Sequence, residues 1–179
     1  MKATLFGLLV ACGLAGQASA EPLTIGAPAP NFSVRTFDGK ELTLADFRGQ
    51  VLIINFWATW CGPCKEELPL LDSYYRAANQ RGYGLRIVAV TTEDSLPIET
   101  LKPLAAKVSF DMARNFHGGY KDFGALPTNF VIDRTGVLRY AKAGAFDLDR
   151  LNDVIIPLLQ QPAPAAPSAK PESASLRGN

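Results

Sequence analysis

The chain has 179 residues, 47% of them hydrophobic, and 18 Lys and Arg against 17 Asp and Glu leave a net charge of +1. That length suits one domain with an ordinary packed core, and the interspersed charge gives no electrostatic basis for binding nucleic acid or an anionic membrane surface. No internal repeat is visible, and no apolar run reaches the ~20 residues that a membrane-spanning helix requires.

Residues 1–20 differ from the rest. Lys2 is the only charge before Glu21, Ala3 to Ala15 is a short apolar stretch, and Ala18-Ser19-Ala20 places small residues where a signal peptidase reads them. This is the pattern of a secretory signal peptide cut after Ala20. Two alternatives stay open. One is an uncleaved anchor, for which the Gly-interrupted stretch is short. The other is a lipoprotein box, Leu9-Val10-Ala11-Cys12, which would lipidate Cys12 and anchor the protein. Removing the leader leaves Cys61 and Cys64 of the three cysteines, too few for a disulfide scaffold.

Residues 22–160 form the expected domain, opening with a Pro-rich lead-in over 22–30. Asn31 to Phe37 and Glu41 to Leu44 flank Asp38-Gly39, a hairpin signal. Val51 to Ala58 (VLIINFWA) is an almost unbroken apolar run, as in a strand buried on both faces. A helix is predicted from Cys61 to Gln80, with Cys64, Leu68, Leu71, Tyr75 and Ala78 as its buried stripe. Pro63 fits its first turn, and Pro69 should kink it. Leu85 to Val90 is a second core strand, completing a βαβ unit with parallel strands. Then come a helix over Pro97 to Lys107, a short strand over Val108 to Ala113, and a short helix over Phe116 to Phe123 holding the single His, His117. A hairpin follows over Asn129 to Asp133 and Val137 to Lys142, turning at Arg134-Thr135-Gly136, and a helix over Leu148 to Gln160 closes the domain. Residues 161–179 are rich in Pro, Ala and Ser, with little to bury, and are expected to be a disordered tail.

The chemistry centres on Trp60-Cys61-Gly62-Pro63-Cys64, where a buried strand ends and a helix begins. Free backbone N–H groups and the helix dipole stabilise a thiolate there and lower its pKa. Cys61, before the first full turn, is expected to be exposed, and Cys64 to be more buried. Three-residue spacing brings both sulfurs to one side of the turn, close enough to bond. Cys61 thiolate would attack a substrate disulfide, and Cys64 would then attack Cys61 to release reduced substrate. Competing readings fare worse. A structural disulfide closing so short a loop stabilises little. Structural zinc needs four ligands, and the chain without its leader offers Cys61, Cys64 and His117. A peroxidase would carry Thr or Ser where Ala58 stands.

The segment IGAPAPNFSVRTFDGKELTLADFRGQVLIINFWATWCGPCKEELP resembles the opening of the TlpA/ResA-like branch of the thioredoxin superfamily, and GALPTNFVIDRTGVLR resembles that family's second active-site stretch. The likeness spans about Ile25 to Gln160. It implies an α/β, thioredoxin-like three-layer fold, with a mixed central β-sheet flanked by helices and an N-terminal β-hairpin extension. It also implies location in the periplasm, free or membrane-tethered. The implied activity is reduction of disulfides in proteins such as apocytochromes c or copper-site assembly factors, with a membrane thiol carrier as electron donor. Pro127 matches the family's cis-proline, so Leu126-Pro127 is expected to be cis and to present a backbone edge to substrate beside Trp60, Gly62 and Pro63. Glu67 matches a glutamate beside the active site, and its place three residues beyond Cys64 sets it on the same helix face. Cytoplasmic thioredoxins carry a buried Asp beneath the cysteines; this chain has Asn55, which cannot titrate. Glu67, partly buried, is therefore the expected acid–base group, with Cys61 and Cys64, while Trp57 and His117 are structural.

Neither a flavin nor a dinucleotide fingerprint is present, so no cofactor is expected and electrons must come from a protein partner. No bound metal is expected, and the domain is expected to act as a monomer. Two other functions compete: a disulfide oxidase or isomerase, distinguished by the potential of the pair, and a copper metallochaperone using Cys61 and Cys64 as soft ligands. The lack of a Met- or His-rich cluster weighs against the latter.

Overall fold

The computed structural model describes residues 23–164. The expected signal peptide over 1–20, the alternative lipidation site Cys12 and residues 165–179 of the expected tail lie outside the described residues.

One mixed sheet of seven strands organises the domain: β1 (Phe32–Thr36), β2 (Glu41–Thr43), β3 (Val51–Trp57), β4 (Leu85–Thr91), β5 (Asp111–Gly118), β6 (Thr128–Ile132) and β7 (Leu138–Ala143), in spatial order β2-β1-β5-β4-β3-β6-β7. Helices α1 (Gly62–Gln80), α2 (Ile98–Ala105) and α3 (Leu148–Leu159) connect and close it. Strand β3 pairs parallel with β4 and antiparallel with β6, so the apolar run that suggested a buried strand is interior to the sheet and buried at all seven positions. The expected hairpins are both present: β1 and β2 turn at Asp38-Gly39, where Gly39 takes φ +91°, and β6 and β7 turn at 133–137.

Alternation along β3 divides the core. Val51, Ile53 and Trp57 pack with Leu68, Leu71 and Ala78 of α1, Leu101 of α2 and Leu151, Ile155 and Leu158 of α3. Leu52, Ile54 and Phe56 face the other way, against Phe32, Val34, Leu44, Phe47, Tyr120 and Phe130. The second face is thus covered by β1, the short 3-10 helix Leu44–Phe47 and the segment after β5. Asn55 lies between Ile53 and Trp57 on the helix side, a polar group set into the apolar strand just before it ends.

One expected element is absent. Residues 116–118 are not helical; they are the end of β5, where Ser33 pairs with His117 and Phe32 with Gly118. The strand is long because β1 supplies an antiparallel partner that local propensity does not reveal. The approach there is close, since a Cβ on Gly118 would lie 2.9 Å from Phe32 Cβ and 3.0 Å from the Asn31 carbonyl oxygen. Helix α1 runs unbroken through Pro69, which cannot bond the Lys65 carbonyl.

Candidate active site

The chain leaves β3 at Trp57, and the Cys61 N–H donates to the Ala58 carbonyl at 3.1 Å, closing a turn that delivers the cysteines to the start of α1. Cys61 is the N-cap: its Sγ accepts from the Cys64 N–H at 3.2 Å. Pro63 falls in the first turn, where it forfeits no helical bond. Cys61 and Cys64 are joined as a disulfide, with Cα atoms 5.3 Å apart.

The expectation that Cys61 would be exposed is not met. Cys61 is 3% exposed and Cys64 not at all. In the oxidised pair the Cys61 sulfur is turned onto the first turn of α1 and joins the apolar cluster of Trp57, Ala58 and Leu68. The outward surface of the motif is instead Trp60, 70% exposed, with Gly62 and Pro63.

Glu67 is more deeply placed than the partial burial expected of it, at 1% exposure. Its carboxylate accepts from Asn55 Nδ2 at 2.7 Å, from Asn129 Nδ2 at 2.8 Å and from the Phe146 N–H at 2.6 Å. Among the described residues it has no salt-bridge partner. Burial pushes its pKa above the ordinary 4.5, and the N–H donors from Phe146, Asn129 and Asn55 pull in the other direction without cancelling the rise. This carboxyl lies one helical turn beyond Cys64, on the same face of α1. Glu66, its neighbour, is exposed.

The Leu126–Pro127 peptide bond is cis. Pro127 lies one step beyond the Phe56–Thr128 pair of the β3–β6 register, beside the end of β3 from which the cysteine turn departs. Leu126 packs against both core clusters, one of which includes Cys61 and Cys64. The Pro127 carbonyl is engaged by the Gly144 N–H at 2.8 Å, and Thr128 Oγ1 donates to the Ala125 carbonyl at 2.7 Å. Next to this loop Phe123 is 49% exposed.

Three contributors were not identified from sequence. Asn129 and the Phe146 N–H reach Glu67 from 62 and 79 residues away, separations at which no local pattern operates. Glu93, just past β4, holds the turn before the cysteines, accepting from the Thr59 N–H at 2.5 Å and Thr59 Oγ1 at 3.0 Å. A carboxylate two residues after a core strand was the available signal.

The chain is similar to known proteins. The AhpC/TSA family matches over residues 25–141. Thiol-disulfide oxidoreductase ResA of Bacillus cereus is 33% identical over 140 residues, covering 72% of this chain and 79% of that one. ResA of Bacillus subtilis is 31% identical, covering 76% of each. Among solved structures, a thiol:disulfide interchange protein DsbE from Chlorobium tepidum superposes with TM-score 0.64 at 26% identity, over 77% of this chain and 99% of that one. With a bonded CxxC pair at a helix N-terminus, a thioredoxin-like sheet and these relatives, the chain belongs to the AhpC/TSA family as a TlpA/ResA-like thiol-disulfide oxidoreductase.

Proposed function

We propose that the protein works outside the cytoplasm, in the periplasm, as a monomeric reductase of protein disulfides, with Cys61 as attacking and Cys64 as resolving thiol. The observation that carries this reading is the Cys61–Cys64 pair at the N-terminus of α1, with Glu67 buried one turn further on. The leader-like residues 1–20 support export. Gly62-Pro63 between the cysteines, as in thioredoxin, supports the reducing direction.

In the reduced protein the Cys61 thiolate attacks one sulfur of the substrate disulfide. The Cys61–substrate bond forms, the substrate S–S bond breaks, and the first substrate thiolate leaves. Cys64 then gives its proton to Glu67, and its thiolate attacks Cys61 Sγ. The second substrate thiolate departs and is protonated, and two electrons have passed to the substrate. The bonded Cys61–Cys64 pair is the product, and a dithiol of a membrane carrier would reverse it. Trp60, Gly62 and Pro63 form the surface a substrate meets, and Leu126 offers its backbone edge beside Pro127. Substrates are proposed from the family resemblance: apocytochrome c or copper-site assembly proteins.

Two measurements test this. Cys64→Ser should accumulate a mixed disulfide on Cys61 that mass spectrometry of the exported protein can identify, while Cys61→Ser should form none and lose all turnover. The potential of the pair should lie near the ~−270 mV of thioredoxin; a value near ~−120 mV would instead assign an oxidase.

A further inference from the structure

Beyond the cysteines and Glu67, the site contains a pair of side-chain amides with a fixed polarity. Asn55 on β3 and Asn129 on β6 sit directly opposite each other in the antiparallel register, and both are fully buried. Asn129 Oδ1 accepts from Asn55 Nδ2 at 2.8 Å, while Asn129 Nδ2 donates to Glu67 Oε1 at 2.8 Å and to the Gly144 carbonyl at 3.2 Å. Asn55 Nδ2 spends its other hydrogen on Glu67 Oε2 at 2.7 Å, and Asn55 Oδ1 is left buried with no partner. An orphaned buried acceptor is costly. It is tolerated here because the reverse orientation is worse, setting Oδ1 of Asn55 against both a carboxylate oxygen and the oxygen of Asn129. Asn129 cannot turn either, since its nitrogen is claimed by Glu67 and Gly144. The orientation of both amides is therefore set from Asn129, and every N–H in the pair that reaches Glu67 favours its ionised form.

We infer that Asn129 is a positioning residue that holds Glu67's carboxylate, directly and by orienting Asn55, ready to receive the proton of Cys64. This rests on the reading of Glu67 as the acid–base group. Asn129 does not touch the sulfurs; it acts through Glu67. It also ties the site to the loop between β7 and α3, because Gly144 and Phe146 of that loop bond the same two side chains. Among the described residues, Tyr140 on β7 is a titratable group that feels the charge of Glu67, along with those of Asp147 and Arg150. Burial, with a smaller contribution from Glu67's charge, keeps the Tyr140 phenol above its usual 10.0, so it does not titrate near neutral pH.

The test uses the reduced protein and an aromatic disulfide whose released thiolates absorb visible light. Stopped-flow mixing gives two phases, attack by Cys61 and resolution by Cys64. Asn129→Leu should leave the first phase unchanged and move the pH midpoint of the second upward by roughly one unit, the effect of losing one hydrogen bond to a carboxylate. Asn129→Ser, which keeps a donor and is the gentler change should the leucine variant fold poorly, should shift it less. Glu67→Gln should abolish the midpoint, and adding Asn129→Leu to it should do nothing further. If Glu67→Gln abolishes the midpoint but both Asn129 variants leave it in place, Glu67 keeps its role and the inference about Asn129 is wrong. If Glu67→Gln leaves the midpoint too, the acid–base reading itself fails and the inference falls with it.

Discussion

At the residue scale, Glu67 is a carboxylate removed from water and answered by three N–H groups rather than by a cation. Such an arrangement leaves the carboxyl with a proton affinity raised by burial, where a salt bridge would favour the anion. Glu67→Gln should slow the resolving step and remove its pH midpoint, whereas Glu66→Gln, at an exposed position, should change neither. The exchange should also cost stability. Gln has one acceptor oxygen, and with that oxygen engaged by Phe146 and Asn129 its NH2 meets Asn55 Nδ2, a donor against a donor. A loss of about 1–3 kcal/mol is expected in denaturant titration at neutral pH, partly offset because a buried charge is gone. The family resemblance, together with the spacing from Cys64, points to Glu67 in the sequence. Its depth was not legible, because burial comes from β6 and the β7–α3 loop closing over the helix.

At the scale of elements, long polar side chains tie the ends of strands and helices together. Arg134 was legible only as a turn residue, yet its guanidinium is buried and donates to the carbonyls of Gly49 before β3, Tyr83 before β4 and Leu159 at the end of α3. Arg134→Leu would strand those acceptors. The expected loss is about 3 kcal/mol by thermal or denaturant unfolding, with the rate of Cys61 alkylation in the reduced protein unchanged. Glu93 plays the matching part at the other end of the sheet, bracing Thr59 and so the approach to Cys61. The same lesson explains β5: a short helix is expected over Phe116 to Phe123, but Phe116 and Tyr120 pack on Phe32 of β1, a distant partner in the chain.

At the scale of the whole molecule, two buried carboxylates make the stability depend on pH in opposite directions. Burial raises the Asp133 carboxyl, but Thr135, the Val137 N–H and Arg139 outweigh it, and the net pKa is lowered. That group contributes stability above 3.8, lost as pH falls through its folded value. Glu67 is the reverse: with its folded pKa raised, stability is greatest below 4.5 and declines as pH climbs from there through the folded value. Glu67→Gln removes that decline. Unfolding measured in a pH series should show the variant gaining on the wild type as pH rises from 4.5, and a constant difference would mean the carboxyl is not perturbed.

The sequence by itself determined the βαβ unit, both hairpins, the closing helix and the position of Cys61 and Cys64 at a strand-to-helix junction. These are local facts: an apolar run, Asp38-Gly39 and Arg134-Thr135-Gly136 turns, and a three-residue spacing each act within one or two turns of chain. Tertiary structure alone decided the extent of β5 and the partners of Glu67. Each depends on which distant segment lies alongside, since Asn55 and Asn129 are 74 residues apart in the chain and 2.8 Å apart in the fold. Hydrogen bonds to a buried carboxylate are selected by the sheet register, and the register is fixed only when the two faces of β3 have both found their cover.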